Sequence, residues 1–502
     1  MKINFSENEY WYGGYVVDGM KMPLDANSSA TIDLTINNSL NQAVPFFVSS
    51  KGRYLWRDAG FKAIFENGII ELPDDVIVAG GFSSLRGAYL AAMKKHFPFH
   101  HETPAKELFE KPIYNSWIEL TFFQNQQAIE QYAVDIFNNG LPAGVLMIDD
   151  GWSNSYGDWQ FHSGHFPSPK KMINRLKDMG YQVMLWVCPF VTPDTVKYRE
   201  ARDKKLLVTN KNGEPFITKW WNGYSAVLDM TNPKACEWLA GQLNDLVKLG
   251  VDGFKFDAGD SIYYDFENVT FAKATPNEQS IAWAKFGEKY AFNEYRVTFK
   301  AGGRPILQRL CDKNHAWGEN GIVSLIPDTL AQGIMGYPYS CPDMIGGGEY
   351  LNFQECSNDL DQELFVRHSE IACLMPAMQF SAAPYRVLDK IHFRAIQKAI
   401  AIREVYSKDI LALVDHAAKT GEPIVRYMAY EFPDSGAEKI IDQFMLGSQF
   451  LVAPIVVKGQ YTRKVFLPKG MWRTNDNEEL IGNDDFVTLQ SDFGKPIILN
   501  RY

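Results

Sequence analysis

The sequence predicts an α/β protein: an eight-stranded (β/α)8 barrel carried between an N-terminal β-sandwich-like domain and a C-terminal β-domain. Residues 112–403 repeat a rhythm of apolar strand, turn and amphipathic helix, whereas the stretches on either side show only short alternating runs. Length agrees, since 502 residues exceed one ordinary core and leave room for about three domains.

Taken in order, residues 1–108 carry runs such as A-T-I-D-L-T-I and A-V-P-F-F-V between G-G, N-G and P-D-D turns. That is the pattern of a sandwich or antiparallel sheet, and residues 85–97 then read as a helix. The barrel, expected over 109–403, has strand candidates at 112–120, 143–150, 181–187, 225–230, 251–257, 305–310, 335–340 and 375–381. Intervening helices, among them Q-A-I-E-Q-Y-A-V-D-I-F-N-N-G and P-K-A-C-E-W-L-A-G-Q-L-N-D-L-V-K-L-G, each close on a glycine. Eight such units in about 290 residues predict a TIM barrel. From 404 to 502 β signals return in Q-F-L-V-A-P-I-V-V-K-G, K-V-F-L-P-K-G-M-W and K-P-I-I-L-N.

Composition narrows the function. Net charge is −10, with 60 acidic residues against 50 basic and no long basic run, so neither nucleic acid nor an anionic membrane is an expected partner. Six cysteines lie scattered without C-x-x-C pairs, which argues against a zinc ribbon or a disulfide framework. The start, M-K-I-N-F-S-E-N-E-Y, has no apolar signal region and no long apolar run follows, so a soluble, cytoplasmic chain is expected. Twelve tryptophans belong mostly to cores, and some are expected to line a sugar site, because pyranose C–H faces pack on aromatic rings.

Barrel chemistry sits at the C-terminal strand ends. There the sequence places Asp149-Asp150-Gly151-Trp152, Asp229, the pair Lys255 and Asp257 in V-D-G-F-K-F-D-A-G-D, then Asp312 and Asp343. Acids clustered in a barrel mouth serve either a divalent metal or glycoside cleavage. None of the nine histidines forms an H-x-H or H-x-x-x-H at a strand end, so no metal or cofactor is expected. Glycoside cleavage needs one carboxylate kept ionised and one carboxyl that holds a proton. Asp257 suits the first role: Lys255, two positions away on the same strand face, favours its anion and is expected to bind a sugar hydroxyl. Asp312 suits the second, with Glu319 as its rival. A separation of about 5 to 5.5 Å between the two carboxyls would give retention of configuration.

With those residues in view, the chain resembles glycoside hydrolase family 31 from about residue 40 onward. G-V-D-G-F-K-F-D-A-G-D resembles the family's nucleophile segment, implying Asp257, and R-L-C-D-K-N-H-A-W-G-E-N-G resembles its acid/base segment, implying Asp312. Y-R-V-T-F-K-A-G-G-R, with Arg296 and Arg304, resembles a stretch whose arginine binds the sugar in subsite −1; Arg296 is the stronger candidate and Arg309 a weaker one. C-P-D-M-I-G-G-G resembles the Asp-Ile-Gly-Gly turn and implies that Asp343 shapes the pocket. Ser381 stands where many α-glucosidases of the family carry a histidine. Asp149-Asp150 with Lys-x-Asp instead resembles related α-galactosidases, in which such residues bind the 4- and 6-hydroxyls.

The expected ligand is a small oligosaccharide or glycoside, with Asp149, Asp150, Trp186, Lys255, Arg296, Trp317 and Asp343 as binding residues. α-D-Galactosides are the preferred substrates; α-glucosides, α-xylosides and sulfoquinovosides are alternatives, and a sugar-binding protein without turnover is the reading from another class. The N-terminal domain is short for the family, so a substrate-binding loop from it is expected to be absent or donated by another subunit, and homo-oligomerisation is left open.

Overall fold

In the computed structural model, which describes residues 1–97, 99 and 101–502, the barrel is a parallel sheet closed on itself. Its eight staves are β1 (Ile113–Asn115), β2 (Val145–Ile148), β3 (Gln182–Val187), β4 (Gly253–Phe256), β5 (Phe292–Tyr295), β6 (Leu307–Arg309), β7 (Ser340–Cys341) and β8 (Gln379–Phe380). They pair in chain order from β1 to β7, and β8 returns to β1. Closure runs through the seventh stave: β7 pairs with β6, while its continuation Met344–Ile345 pairs with β8.

Apolar runs such as V-L-M-I in β2 suit strands buried on both faces. In β4 the alternation sorts inside from outside. Phe256 faces out, its ring 5.1 Å from Tyr295 and 5.3 Å from Trp283 on helix Pro276–Gly287, whereas Lys255 faces the barrel interior. Gly253 lets β4 and β5 approach, because a Cβ there would lie 1.9 Å from the Phe292 carbonyl oxygen.

One expected stave is not in the barrel. Residues Gly223–Val227 instead pair antiparallel with Ile217–Trp220 and Phe190–Val191 in a separate three-stranded sheet. Asp229, just beyond it, therefore does not end a stave; it is buried and accepts hydrogen bonds from Thr231 Oγ1, Gln279 Nε2 and the Phe271 N–H. The stave that the pattern missed is β5, F-N-E-Y. Its polar Asn293 and Glu294 are buried because each is paired: Asn293 donates to the Tyr290 and Pro305 carbonyls, and Glu294 accepts from Arg309 and Gln379. Asp257 thus ends the fourth stave rather than the fifth.

Before the barrel, two four-stranded antiparallel sheets enclose one core that includes Phe47 from one and Phe65 from the other, 5.4 Å apart. After it, a 31-residue helix, Lys390–Thr420, spans residue 403 and ends on left-handed Gly421. A six-stranded sheet and a two-stranded one follow. Among the described residues no helix is long and apolar enough to cross a membrane.

Candidate active site

A cavity of about 360 Å³ opens at the C-terminal ends of the staves, at the small end of ligand sites. Asp149, Asp150, Trp186, Lys255, Asp257, Arg296 and Asp312 all line it. Seven of the nine residues singled out in the sequence are thereby brought together.

Strand register builds the floor. Trp186 is opposite Lys255, and Lys255 opposite Glu294, so β3, β4 and β5 present one layer. The Lys255 ammonium, 4% exposed, donates to Asp149 Oδ2 at 2.7 Å and stands 3.9 Å from Asp257 Oδ2. Its main partner is therefore Asp149 across the barrel mouth, not the neighbour that sequence spacing suggested. Burial is the largest single effect on this ammonium and works against it, but the charges of Asp149, Asp257 and Glu294 together outweigh it and hold the lysine above its ordinary pKa.

Asp257 receives more. Its Oδ1 accepts from Arg296 Nε at 3.0 Å and from the Ala258 N–H at 2.8 Å, and its Oδ2 accepts from Trp186 Nε1 at 3.0 Å. Burial alone would raise this carboxyl; the charges of Arg296, Lys255 and Arg309, with the indole N–H, reverse that and hold it well below the usual carboxylate range. Ala258 has φ +54°, a left-handed conformation that costs a non-glycine residue about 1–3 kcal/mol and here turns its N–H onto the carboxylate.

Asp150 is built differently. Burial and the adjacent Asp149 push it up to about 7, against the hydrogen bonds from Tyr156 and Asn222. Asn222 Nδ2, at 2.7 Å from Asp150 Oδ2, comes from the Trp221-Asn222 turn that leads into the strand expected to be a barrel stave. The same turn puts Trp221 on the cavity, 47% exposed, with the Arg296 guanidinium 5.3 Å from its ring centre.

Asp312 hangs from the loop after β6, its side chain 33% exposed. Buried Arg309 donates through Nη1 to Asp312 Oδ1 at 2.6 Å and to Asp343 Oδ1 at 2.8 Å, and through Nε to Glu294 at 3.3 Å. Asp343 does not reach the cavity lining. Fully buried, with φ +76°, it accepts from Arg309, the Lys313 N–H and the Gly348 N–H, and so shapes the pocket from behind. A side chain at Gly348 would begin 2.6 Å from Met344 Cε, 2.8 Å from Asp343 Oδ1 and 3.0 Å from Asp312 Oδ1, so a larger residue there would press on both carboxylates.

Trp317 and the N-terminal loop are placed otherwise than expected. Trp317 is not in the cavity lining, and its indole donates to Asp361 at 2.9 Å. Arg304 is bound to Glu288, leaving Arg296 as the cavity arginine, and the rival Glu319 is exposed outside the lining. The N-terminal domain does supply a loop from this same chain: Leu40 lines the cavity, its carbonyl accepts from Arg296 Nη1 at 2.9 Å, and Asn41 bonds Cys311. Ser381 accepts from the Ile118 N–H and lies outside the lining. Sequence reasoning missed Leu40, Trp117, Trp221, Tyr263, Cys311, Glu349 and Tyr350 in the lining; the W-W-N-G turn was a signal for one of them. Among the described residues no group of three or more His, Cys, Asp or Glu is arranged to hold a metal.

Barrel, strand-end acids and a pocket at the strand ends fit the class of glycoside hydrolase barrels. Comparison agrees. The family 31 TIM-barrel domain of the glycosyl hydrolases matches residues 113–405, and the family's C-terminal domain matches 421–497. The chain belongs to glycoside hydrolase family 31. It is 34% identical over 395 residues to the myogenesis-regulating glycosidase of Mus musculus, covering 77% of this chain and 55% of that protein. It is 24% identical over 460 residues to the α-xylosidase XylQ of Lactiplantibacillus pentosus, covering 86% and 58%. The chain thus spans little more than half the length of these relatives. In structure it resembles a family 31 dextranase from Flavobacterium johnsoniae complexed with glucose, with a TM-score of 0.86 at 18% identity over 100% of this chain and 66% of that one, a likeness of fold.

Proposed function

We propose that this chain is a retaining, exo-acting α-glycosidase with α-D-galactosides as its preferred substrates. The observation that carries the reading is that Asp257, held as an anion, and Asp312 face one cavity closed at its floor by charged groups. In the first step an Asp257 oxygen attacks the anomeric carbon as the bond to the leaving oxygen breaks, and the Asp312 proton goes to that oxygen. In the second, water attacks the same carbon, Asp312 takes its proton, and the Asp257 ester is released. Oδ2 of Asp257 accepts one hydrogen bond, against two at Oδ1, which leaves it the freer oxygen for attack.

The sugar assignment rests on the floor. Asp149 and Lys255 form an acceptor–donor pair beside the nucleophile, and Asp150 adds a second carboxyl, a set suited to the 4- and 6-hydroxyls of galactose. Five carboxyl groups face the cavity against two cations, Lys255 and Arg296, both already engaged by aspartates. Such a field favours a neutral sugar over a sulfonated one.

Turnover of 4-nitrophenyl α-galactoside, α-glucoside and α-xyloside, with NMR of the first anomer released, tests both parts. Preference for the galactoside with α-galactose released first is expected. Preference for another sugar removes the specificity, first release of the β-anomer removes the double displacement, and binding without turnover leaves a sugar-binding protein.

A further inference from the structure

Resting on the acid/base reading of Asp312, we propose that the buried pair Lys313–Asp328 is a positioning device that holds the Asp312 carboxyl at the leaving oxygen. Asp312 and Lys313 are adjacent in sequence and part company in space. Asp312 faces the cavity, while the Lys313 side chain turns into the protein and donates to Asp328 Oδ2 at 2.7 Å, the two side chains 6% and 1% exposed. The lysine backbone is held as well: its N–H donates to Asp343 at 2.8 Å, and its carbonyl accepts from the Glu349 N–H at 3.1 Å. On the other flank, the Cys311 N–H donates to Asn41 of the N-terminal domain at 2.9 Å.

Asp328 is itself anchored. It sits on helix Ile322–Ile334, against which the short helix Val16–Lys21 of the N-terminal domain packs so closely that a Cβ on Gly19 would lie 2.4–2.6 Å from the Pro327–Asp328 backbone. The acid-bearing loop is thus braced on both sides by groups tied to the N-terminal domain. An interior ion pair is a poor device for stability alone, since apolar residues of similar size serve as well or better. What this pair supplies is direction: with Lys313 anchored inward, rotation of the loop that would withdraw Asp312 from the cavity must bury an unpaired ammonium or pull it from its partner.

The consequence is selective. A device that aims the proton donor matters for leaving groups that need a proton and little for those that do not. The test uses Asp328→Asn, and Lys313→Met with Asp328→Leu, which removes both charges together and leaves neither buried without its counter-charge. Each is assayed on the methyl α-glycoside and the α-glycosyl fluoride of the sugar that the wild type prefers, beside Asp312→Ala. We expect kcat/KM on the methyl glycoside to fall about tenfold or more while the fluoride changes by less than about twofold, with KM unchanged. Asp312→Ala shows the same split, larger. Equal losses on both substrates, or no loss in the doubly substituted protein, overturn the positioning role while leaving Asp312 as acid/base. Absence of a split in Asp312→Ala overturns the acid/base reading and this inference with it.

Discussion

At the floor of the cavity, Lys255 and Asp257 leave the end of β4 one above the other, and their partners Asp149, Trp186 and Arg296 come from or beside neighbouring staves. At the rim, Asp312 sits on a loop held by Arg309 at its side chain, by Asn41 on one flank and by Lys313 on the other. The floor is buried and fixed by strand register; the rim is partly exposed and fixed by side chains drawn from three parts of the chain. A nucleophile needs a permanent charge environment, which a parallel sheet supplies at little cost in mobility. In the proposed mechanism the proton donor faces a leaving group that enters and departs, which suits a place at the mouth with its precision supplied by bracing.

If the floor works as a charge cradle, Asp257→Ala is the most damaging change: turnover of an aryl α-glycoside falls by at least about 10⁴-fold with binding retained in part. Undiminished turnover breaks the comparison at its root. Lys255→Met leaves Asp149 buried without its cation, and a urea titration is expected to show a loss of about 3–5 kcal/mol; a neutral outcome would mean that the floor is not held by this pair.

Asp150→Asn acts in the opposite direction. The folded-state value of about 7 lies above the unfolded one, so between roughly pH 4 and 7 the folded protein holds a proton that the unfolded chain has lost, and stability falls as pH rises. Asparagine cannot carry that charge. The substitution is expected to raise stability by about 1–4 kcal/mol at pH 8 and by less at pH 5, in thermal or urea unfolding at the two pH values; an equal gain at both would show that burial of the charge is not the cause. Trp317→Ala and Arg304→Ala, outside the cavity, should change kcat/KM by no more than about twofold, or about 0.5 kcal/mol of barrier. A larger drop would extend the working site beyond the lining.

The floor was legible because period-two alternation states which face a strand residue occupies, so Lys255 and Asp257 could be assigned together. Which carboxylate the lysine prefers was not, since Asp149 is 106 residues away and only barrel closure brings it to 2.7 Å. The residues S-A-V-L-D-M read as a stave because an apolar β run carries no mark of the sheet it joins, whereas F-N-E-Y was passed over because its buried polar groups are compensated by Arg309, Gln379 and loop carbonyls elsewhere in sequence. Arg309 was underrated for the same reason. Its reach to Asp343, 34 positions on, is set by β6 and β7 lying side by side. Leu40, in N-N-S-L-N-Q, looks like any polar turn until the sandwich docks on the barrel.

In the proposed mechanism one carboxylate, at the end of β4, takes the sugar. Incubating the protein with a 5-fluoro-α-galactosyl fluoride, digesting it and locating the glycosyl ester by mass spectrometry examines that bond itself. The label is expected on Asp257; an ester on Asp149, Asp150 or Asp312 instead would remove Asp257 as the nucleophile.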